Sequence, residues 1–166
     1  MSDYVCEPLG KQHDRTQFDC GAPVLNEYLA KYANQDVKRR AAAVIVLMAR
    51  ANPRRVVGYY TLSAISVELS SLPPGQVKRL PRYPQVPAIL IGRMARDVGF
   101  LGTGELLLAD ALERCVHVSS VIAASLIVVD SKGEAATRFY RKFGFLSLPK
   151  LADRMFLSMR TAETLF

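Results

Sequence analysis

Apolar residues recur along this chain with two different spacings, and the alternation of the two predicts an α/β fold. The helical spacing i, i+3, i+4, i+7 appears just after Pro23, a residue that the first turn of a helix tolerates. The residues on this stripe are Leu25, Tyr28, Leu29 and Tyr32. A second stripe predicts a long helix that starts at Gly102 or Gly104. Its apolar residues are Leu107, Leu108, Ala111, Leu112 and Cys115.

Before, between and after these two stripes lie apolar runs that have the length of β-strands. The runs are residues 4–9, 42–48, 56–62, 64–69, 88–95, 121–129 and 154–159. Run 121–129 is nearly all apolar, as in a strand with both faces covered. Residues 134–143 predict a short helix that ends at Gly144, a natural position for a left-handed cap. Residues 70–87 are rich in proline and basic residues, so we expect a long exposed connection with neither a central strand nor a stable helix. This order of elements predicts a sheet with mixed pairing.

Composition narrows the class of protein. The chain has 166 residues, 50% of them hydrophobic, which fits one globular domain over 1–166 and excludes intrinsic disorder. Its longest apolar stretches are far shorter than the ~20 residues of a membrane-spanning helix, and no apolar segment of a signal peptide is present. Three widely spaced cysteines form no CxxC pair, so we expect neither a disulfide nor a metal site. These features favour a cytoplasmic protein.

Positive charge is concentrated in two stretches of a chain whose formal net charge is +7. Residues 31–55 contain seven Lys or Arg and the single acid Asp36, and residues 69–96 contain five basic residues and no acid. A positive field of this kind attracts polyanions through the release of condensed counterions, which favours a nucleic-acid partner. An ordinary solvated surface is the alternative.

The first candidate site is a predicted strand that runs through a glycine-rich turn into a helix. Strand residues 90–97 are followed by Gly99, Gly102 and Gly104. Free backbone N–H groups at a helix N-terminus bind phosphate, and glycines let the backbone approach it. A tight turn without a ligand is the alternative. No Gly-Lys-Ser/Thr follows, which excludes a Walker motif, and the late position in the chain argues against a dinucleotide-binding fingerprint.

The second candidate site is the turn and helix that follow Asp130. This segment carries the pair Phe139-Tyr140 and closes in Phe143-Gly144-Phe145. By itself, Tyr140 is either a packed aromatic residue or a proton donor. Since the two candidate sites follow neighbouring strands, we expect the ends of those strands to form one ligand crevice.

Together these segments resemble the GNAT family of N-acetyltransferases, over most of the chain from Ala42 to Met159. The resemblance is closest to the acetyltransferase toxins of bacterial toxin–antitoxin modules. The matching segments are residues 18–21 with 25–29, residues 58–63, residues 92–97 with 106–112, and residues 134–145. The resemblance implies the GNAT fold, in which a mixed central sheet has two splayed parallel strands and helices on both faces.

The resemblance also implies a site for acetyl-CoA, with no metal ion. The pantetheine chain would pair with the backbone of Met94, Ala95 and Arg96, and Tyr140 matches the general acid that protonates the departing thiolate. The pyrophosphate would lie on the loop and helix start that comprise Gly99, Phe100, Leu101, Gly102, Thr103, Gly104 and Glu105. Gly99 departs from the family pattern, because it stands where Arg or Gln is usual, and the loop looks shorter than usual.

Toxins that this chain resembles acetylate the α-amino group of aminoacyl-tRNA and so block translation. An α-amino group has a pKa of about 7.7–8.0, which an ester lowers, so the attack needs no strong protein base. Anchoring of tRNA would fall to the basic residues Lys38, Arg39, Arg40, Lys78, Arg79, Arg82 and Arg93. The resemblance further implies a homodimer and a ribbon-helix-helix antitoxin. The alternatives are an acetyltransferase for protein N-termini or small amines, and a non-catalytic nucleic-acid-binding protein on a GNAT scaffold.

Overall fold

The computed structural model describes residues 2–166, which divide into two compact units. The first unit contains residues 2–63 and 92–111, and the second contains residues 64–91 and 112–166. The strands are β1 (Tyr4–Pro8), β2 (Ala43–Ala49), β3 (Gly58–Glu68), β4 (Gln85–Arg96), β5 (Leu126–Asp130), β6 (Leu146–Leu148) and β7 (Leu151–Ser158). The α-helices are α1 (Pro23–Glu27), α2 (Ala33–Lys38), α3 (Pro74–Val77), α4 (Thr103–Ser119), α5 (Glu134–Lys142) and α6 (Met159–Glu163). β3, β4 and α4 contribute residues to both units, and one domain over 1–166 stays a prediction.

In the first unit, β2 pairs antiparallel with β1 on one side and with β3 on the other. The predicted runs 56–62 and 64–69 contribute to a single strand, β3. Alternate residues of β2 face the same side of a sheet. Val44, Val46 and Met48 accordingly lie in one apolar cluster with Leu29 and Ala33 of the preceding helical segment. The predicted helix 23–38 therefore covers this part of the sheet.

In the second unit, β4 and β5 pair in parallel over four residues, beginning with Ala88 opposite Leu126. β7 pairs antiparallel with both β5 and β6. Val128 and Phe156 lie opposite each other on β5 and β7, and both are buried in one apolar cluster with Leu72. The strand order is β1-β2-β3-β4 in the first unit and β4-β5-β7-β6 in the second. A mixed sheet of seven strands with helices confirms the predicted α/β class.

Residues 70–87 differ from the predicted exposed connection. Pro74 starts helix α3, because proline is well suited to the first turn, and β4 already begins at Gln85. Leu72 and Val86 are buried in the apolar cluster of the second unit. The proline content hides the two apolar residues, whose burial keeps this segment packed against the core.

β5 is shorter than the apolar run 121–129 that predicts it. The strand covers Leu126–Asp130, whereas Val121 and Ile122 are 76% and 73% exposed and donate their N–H groups to Val118 at the end of α4. Apolar composition alone does not separate a strand from the end of a helix. The sequence reading also misses β6 and α6, and it predicts β7 from residue 154 rather than Leu151.

The first predicted helix contains a wide turn. Residues Tyr28–Tyr32 form a π-helical turn between α1 and α2. Tyr28 and Leu29 are buried, as the stripe predicts, but Tyr32 is 49% exposed. The extra residue of a π turn changes which side chains follow one another along a helix face. Tyr32 therefore leaves the apolar stripe. By contrast, all five apolar residues of the predicted α4 stripe are buried.

The cysteines and the other side chains that can ligate metals were compared with the expectation of no disulfide and no metal site. None of the three cysteines is in a disulfide, and burial raises the pKa of Cys115 to about 12. Among residues 2–166, no three His, Cys, Asp or Glu side chains are grouped so as to hold a metal ion. A search of the same residues finds no helix with the length and apolar character to cross a membrane.

We predict that Gly144→Ala lowers the free energy of unfolding by about 1–2 kcal/mol, because an L side chain is strained in the left-handed region. Gly144 follows α5 with a φ of 95°, which confirms the predicted left-handed cap. Urea denaturation measures the change. Gly75→Ala is the matched control, since Gly75 lies in α3 and a Cβ there meets no atom within 4 Å. Equal losses in the two variants would contradict the explanation from φ.

Candidate active site

The predicted cofactor residues lie in the first unit, from the end of β4 to the start of α4. The strand contributes Met94, Ala95 and Arg96, of which Ala95 is buried. The loop then turns at Gly102, whose φ is 85°. A Cβ on Gly102 would meet no atom within 4 Å, so the loop surface is open there. The chain therefore turns from strand to helix with its backbone accessible.

The first turn of α4 follows directly. Thr103 is buried, and its hydroxyl donates to the Phe100 carbonyl at 2.7 Å. Gly104 and Glu105 complete the turn, and α4 is 17 residues long. The first N–H groups of a helix have no partner within that helix. The start of α4 therefore has backbone donors at the place where the glycine pattern predicts an anion site, which stays a prediction.

The carboxylate of Asp97 holds the start of the loop. Asp97 is 4% exposed; Oδ1 accepts the Gly99 N–H at 2.9 Å and Oδ2 accepts the Asp19 N–H at 3.1 Å. The guanidinium of Arg55 lies 3.9 Å from Oδ2 and over the Phe100 ring, 5.2 Å from its centroid. A buried carboxylate is stable only when charge and hydrogen bonds compensate it. Asp97 therefore holds Gly99, and Arg55 holds Phe100, at the start of the loop.

The segment Phe18–Gly21 meets this loop through a turn that its own side chains cap. Oδ1 of Asp19 accepts from the Gly21 N–H and from the Asn26 amide, and these hydrogen bonds lower the pKa of Asp19. The side-chain oxygen Oδ1 of Asn26 in turn accepts from the Cys20 N–H. The Val98 N–H donates to the Asp19 carbonyl at 2.9 Å. The spacing between Asp19 and Asn26 lets their side chains hold this turn together, so that the Asp19 carbonyl faces the loop and accepts from Val98.

The Gly58-Tyr59-Tyr60 segment of β3 also has a packing explanation. A Cβ on Gly58 would approach Leu107 of α4 to 2.9 Å, which is closer than real Cβ contacts allow. The Tyr60 hydroxyl donates to the carboxylate of Asp110, also on α4. Glycine leaves room here for the Leu107 side chain, so β3 and α4 lie close together. The segment thus positions the helix that follows the loop.

Tyr140 lies in the second unit, on α5, and is 6% exposed. Its ring meets Phe139 and Phe145 edge to face, with centroids 5.3 and 5.5 Å apart. Burial raises the pKa of Tyr140 to about 12, and the negative charge of Asp130 adds to the rise. Asp130 itself pairs with Arg154 at 3.1 Å. Tyr140 is therefore both packed, as the simpler interpretation expects, and reliably protonated, as a proton donor must be.

The predicted tRNA-binding residues are divided between the units. Lys38, Arg39 and Arg40 at the end of α2 belong to the first unit, whereas Lys78, Arg79 and Arg82 after α3 belong to the second; all six are exposed. Arg93 differs, because it is half-buried on β4 in the first unit, with its guanidinium 3.7 Å from the centroid of the Tyr28 ring. Arg93 is thus held in one place, beside the predicted cofactor strand.

Comparison with known proteins identifies the family, although no protein-family model matches the chain. The chain is 34% identical over 168 residues to the tRNA-acetylating toxin of Mycobacterium tuberculosis, covering 99% of this chain and 98% of that protein. The chain belongs to the family of tRNA-acetylating toxins. It is also 29% identical to the probable toxin TacT of Sinorhizobium fredii, over 97% of this chain and 94% of that protein.

Solved structures of another toxin share the fold over the full chain. AtaT complexed with acetyl-methionyl-tRNAfMet has a TM-score of 0.90, with 28% identity and 99% of each chain covered. AtaTR bound with AcCoA has a TM-score of 0.85, with 27% identity over 100% of this chain and 99% of that chain. A Tyr-to-Phe mutant of AtaT bound to the C-terminus of the antitoxin AtaR has a TM-score of 0.84, with 25% identity and 99% coverage of each chain. The resemblance to GNAT toxins is confirmed.

Sequence reasoning misses the residues that order the loop in this toxin. It counts Arg55 only as part of a positive stretch and includes Asp97 and Asn26 only within matching segments. A polar residue at the end of an apolar strand was the available signal for Asp97. Its partner Asp19 lies 78 residues away in sequence, so no local pattern reveals the pairing.

We predict that Asp97→Ala destabilises the protein by about 1–3 kcal/mol, the usual cost of leaving a buried polar group without its partner. The amide hydrogens of Gly99 and Asp19 lose their acceptor and should exchange with solvent faster. Urea denaturation and amide hydrogen exchange measure the two effects. Asp3→Ala, which removes an exposed carboxylate of the same unit, should change neither. Unchanged exchange at Gly99 and Asp19 in Asp97→Ala would show that the carboxylate does not order the loop.

Proposed function

We propose that this chain transfers the acetyl group of acetyl-CoA to the α-amino group of aminoacyl-tRNA, and that it thereby acts as a toxin that blocks translation. The observation that carries the proposal is the full-length likeness to a tRNA-acetylating toxin, at 34% identity. The complexes of AtaT with acetyl-methionyl-tRNAfMet and of AtaTR with AcCoA support the same reaction here. The accessible backbone of the loop and the basic residues described above suit these two substrates.

The residues after β4 fit acetyl-CoA. Gly102 leaves open space beside the backbone, and the start of α4 offers N–H groups that favour a pyrophosphate. We assign that role to residues 99–105 and the pairing of the pantetheine chain to Met94, Ala95 and Arg96. Gly99 supplies no side chain, but its N–H is held by Asp97. Loop order here thus comes from Asp97 and Arg55, without the usual Arg or Gln at the loop start.

The chemical step requires little from the protein beyond placement and one acid. The neutral α-amino nitrogen forms a bond to the acetyl carbon, the carbon–sulfur bond breaks, and the nitrogen loses one proton to solvent water. We assign stabilisation of the developing oxyanion to a backbone N–H near Ala95 or Arg96. Tyr140 donates its phenolic proton to the departing sulfur and recovers a proton from solvent. Its raised pKa of about 12 means that the phenol is in the donating form at neutral pH.

Partners follow from the same proposal. The exposed Lys38, Arg39, Arg40, Lys78, Arg79 and Arg82 would bind tRNA phosphates, and Arg93 would act closer to the acceptor end. The complex of AtaT with AtaR supports an antitoxin partner, for which we propose the ribbon-helix-helix type. We further propose a homodimer and a cytoplasmic location, where charged tRNA is found.

The direct test incubates the protein with acetyl-CoA and charged bulk tRNA and identifies acetylated aminoacyl ends by mass spectrometry. Peptides with free N-termini and small amines serve as competing acceptors. Acetylation of aminoacyl-tRNA alone supports the proposal. Acetylation of the competitors instead would support the alternative acetyltransferase, and failure to bind acetyl-CoA in calorimetry would support a non-catalytic protein.

We predict that Tyr140→Phe lowers kcat by about 10²–10⁴-fold, the usual contribution of a positioned general acid. Phenylalanine keeps the ring contacts with Phe139 and Phe145, so the melting temperature should change little. Single-turnover acetylation measures the chemical step. Tyr83→Phe is the matched control, because Tyr83 is 69% exposed, and it should retain full activity.

An unchanged kcat in Tyr140→Phe would remove Tyr140 from the mechanism.

The wild-type pH profile gives a second check, best made with an amide-linked aminoacyl-tRNA that resists hydrolysis. The value of kcat/KM should rise as the α-amino group loses its proton and then stay level to about pH 10. Tyrosine of ordinary pKa would begin to lose activity near 10.0, whereas a pKa of about 12 delays that loss.

We predict that replacing Lys38, Arg39 and Arg40 together by glutamine weakens tRNA binding and flattens its salt dependence. Each lost phosphate contact reduces the slope of log K against log salt by about 0.7–0.9. Filter binding at several salt concentrations measures the slope, while the KM for acetyl-CoA should remain unchanged. Lys11→Gln, which removes an exposed charge elsewhere in the first unit, is the control. An unaltered slope in the triple variant would place the tRNA on another surface.

A further inference from the structure

A cavity of about 370 Å³ lies within the first unit, and no step of the reaction described above uses it. Its lining combines aromatic, acidic and basic side chains with a single aliphatic one. The lining residues are Val24, Glu27, Tyr28, Tyr32, Asp36 and Arg93. The cavity is therefore neither a purely apolar pocket nor a simple charged patch.

The π-helical turn gives the cavity its shape. Tyr28 and Tyr32 stand at the two ends of that turn, and both line the cavity. The Tyr28 hydroxyl donates to Oδ2 of Asp36 at 2.7 Å, across the turn. Burial and this hydrogen bond raise the pKa of Tyr28 to about 12, so the hydroxyl remains a donor. Single π turns within α-helices are frequent at functional sites.

Three chemical groups meet at this cavity in fixed positions. Asp36 contributes a carboxylate that accepts hydrogen bonds, and Arg93 contributes a guanidinium that donates them and lies over the Tyr28 ring. Tyr32, which is 49% exposed, contributes an aromatic ring that another ring can stack on. A matching ligand is flat and neutral and carries both a donor and acceptors at its edge. Purine bases with an amino group have this combination, and proteins bind unstacked bases through such aromatic and polar groups.

The position of the cavity agrees with a nucleic-acid end. Arg93 lines the cavity and directly precedes Met94, the first residue assigned to the pantetheine chain, so one wall of the cavity adjoins the cofactor segment of β4. Asp36, another lining residue, lies two positions before Lys38, the first of three exposed cations suited to phosphates, with Arg39 and Arg40 next. A base bound here would therefore lie close both to the cofactor segment and to three exposed cations.

We propose that this cavity binds the terminal adenine of the tRNA acceptor end, with the adenine amino group donating to Asp36, the ring nitrogen N7 accepting from Arg93, and Tyr32 stacked on the base. The proposal rests on the proposed function, because the terminal adenosine is the nucleotide that carries the amino acid. The base is read directly, whereas the phosphates are bound only by charge. Asp36, Arg93 and Tyr32 are thus specificity-determining residues for the acceptor end.

The test exchanges the donor and acceptor on both partners. Transcribed tRNAs ending in adenosine or inosine are charged with the same amino acid, and each is presented to the wild type and to Asp36→Asn. Inosine has a carbonyl oxygen where adenosine has its amino group, and asparagine offers an amide donor where aspartate only accepts. Asparagine also keeps an oxygen for the Tyr28 hydroxyl, so the fold of the turn is retained.

We expect the wild type to prefer the adenosine-ended substrate by about 10–100-fold in kcat/KM, as for one base-reading hydrogen bond. Asp36→Asn should lose activity on adenosine-ended tRNA and gain it on inosine-ended tRNA, with the KM for acetyl-CoA unchanged. Glu163→Gln, which alters an exposed carboxylate on α6, should behave as the wild type. No structural weakening of the protein would produce such an exchange of preference.

Equal use of both ends by the wild type, without a change of preference in Asp36→Asn, would overturn the proposal. A change in the preferred amino acid without any effect of the terminal base would overturn it in favour of an amino-acid side chain in the cavity. The same four combinations are titrated with uncharged tRNA, so the base preference is measured even if no acetyl transfer occurs. Absence of transfer to adenosine-ended tRNA therefore contradicts the proposed function, and absence of base preference contradicts only this inference.

Discussion

Two backbone N–H groups and one guanidinium converge on the buried carboxylate of Asp97, and the order of the loop after β4 depends on that convergence. Asp97 is 4% exposed, so its charge is stable only while Gly99, Asp19 and Arg55 remain in place. Burying the charge is costly, so moving any one of the three partners leaves the carboxylate with too little compensation and disfavours other conformations of the loop. The loop thus keeps one conformation although glycines open it and no Arg or Gln stands at its start.

Two of the segments that resemble the toxin branch serve this order rather than the chemistry. The segment Phe18–Gly21 presents a capped turn to the loop, and Gly58 allows β3 to approach α4. Their residue types are demanded by backbone hydrogen bonds and by close packing. The proposed reaction needs few special side chains, because its nucleophile is already partly neutral at pH 7. A family signature of this kind therefore reports mainly how a cofactor loop is held.

Local patterns predict the parts of this fold that local forces determine. The apolar stripe of α4 and the cap at Gly144 follow from spacing and from φ, and both are found as predicted. The strand prediction is wrong at Val121 and Ile122, because apolar residues can also be left exposed where a helix ends. The prediction of an exposed connection over residues 70–87 is wrong because tertiary packing buries Leu72 and Val86 among the prolines. The partners of Asp97 and the π turn could not be found, since they depend on contacts between distant segments and on helix register.

The π turn at Tyr28–Tyr32 carries one residue more than an ordinary helical turn, and this has an evolutionary consequence. Deletion of a single codon there would restore regular winding and rotate every later side chain of α2 by about 100° about the helix axis. Asp36 would leave the Tyr28 hydroxyl, and Ala33 would turn out of the apolar cluster against the sheet. A single in-frame loss would thus damage the core together with the cavity, so the number of residues in this turn is constrained by both.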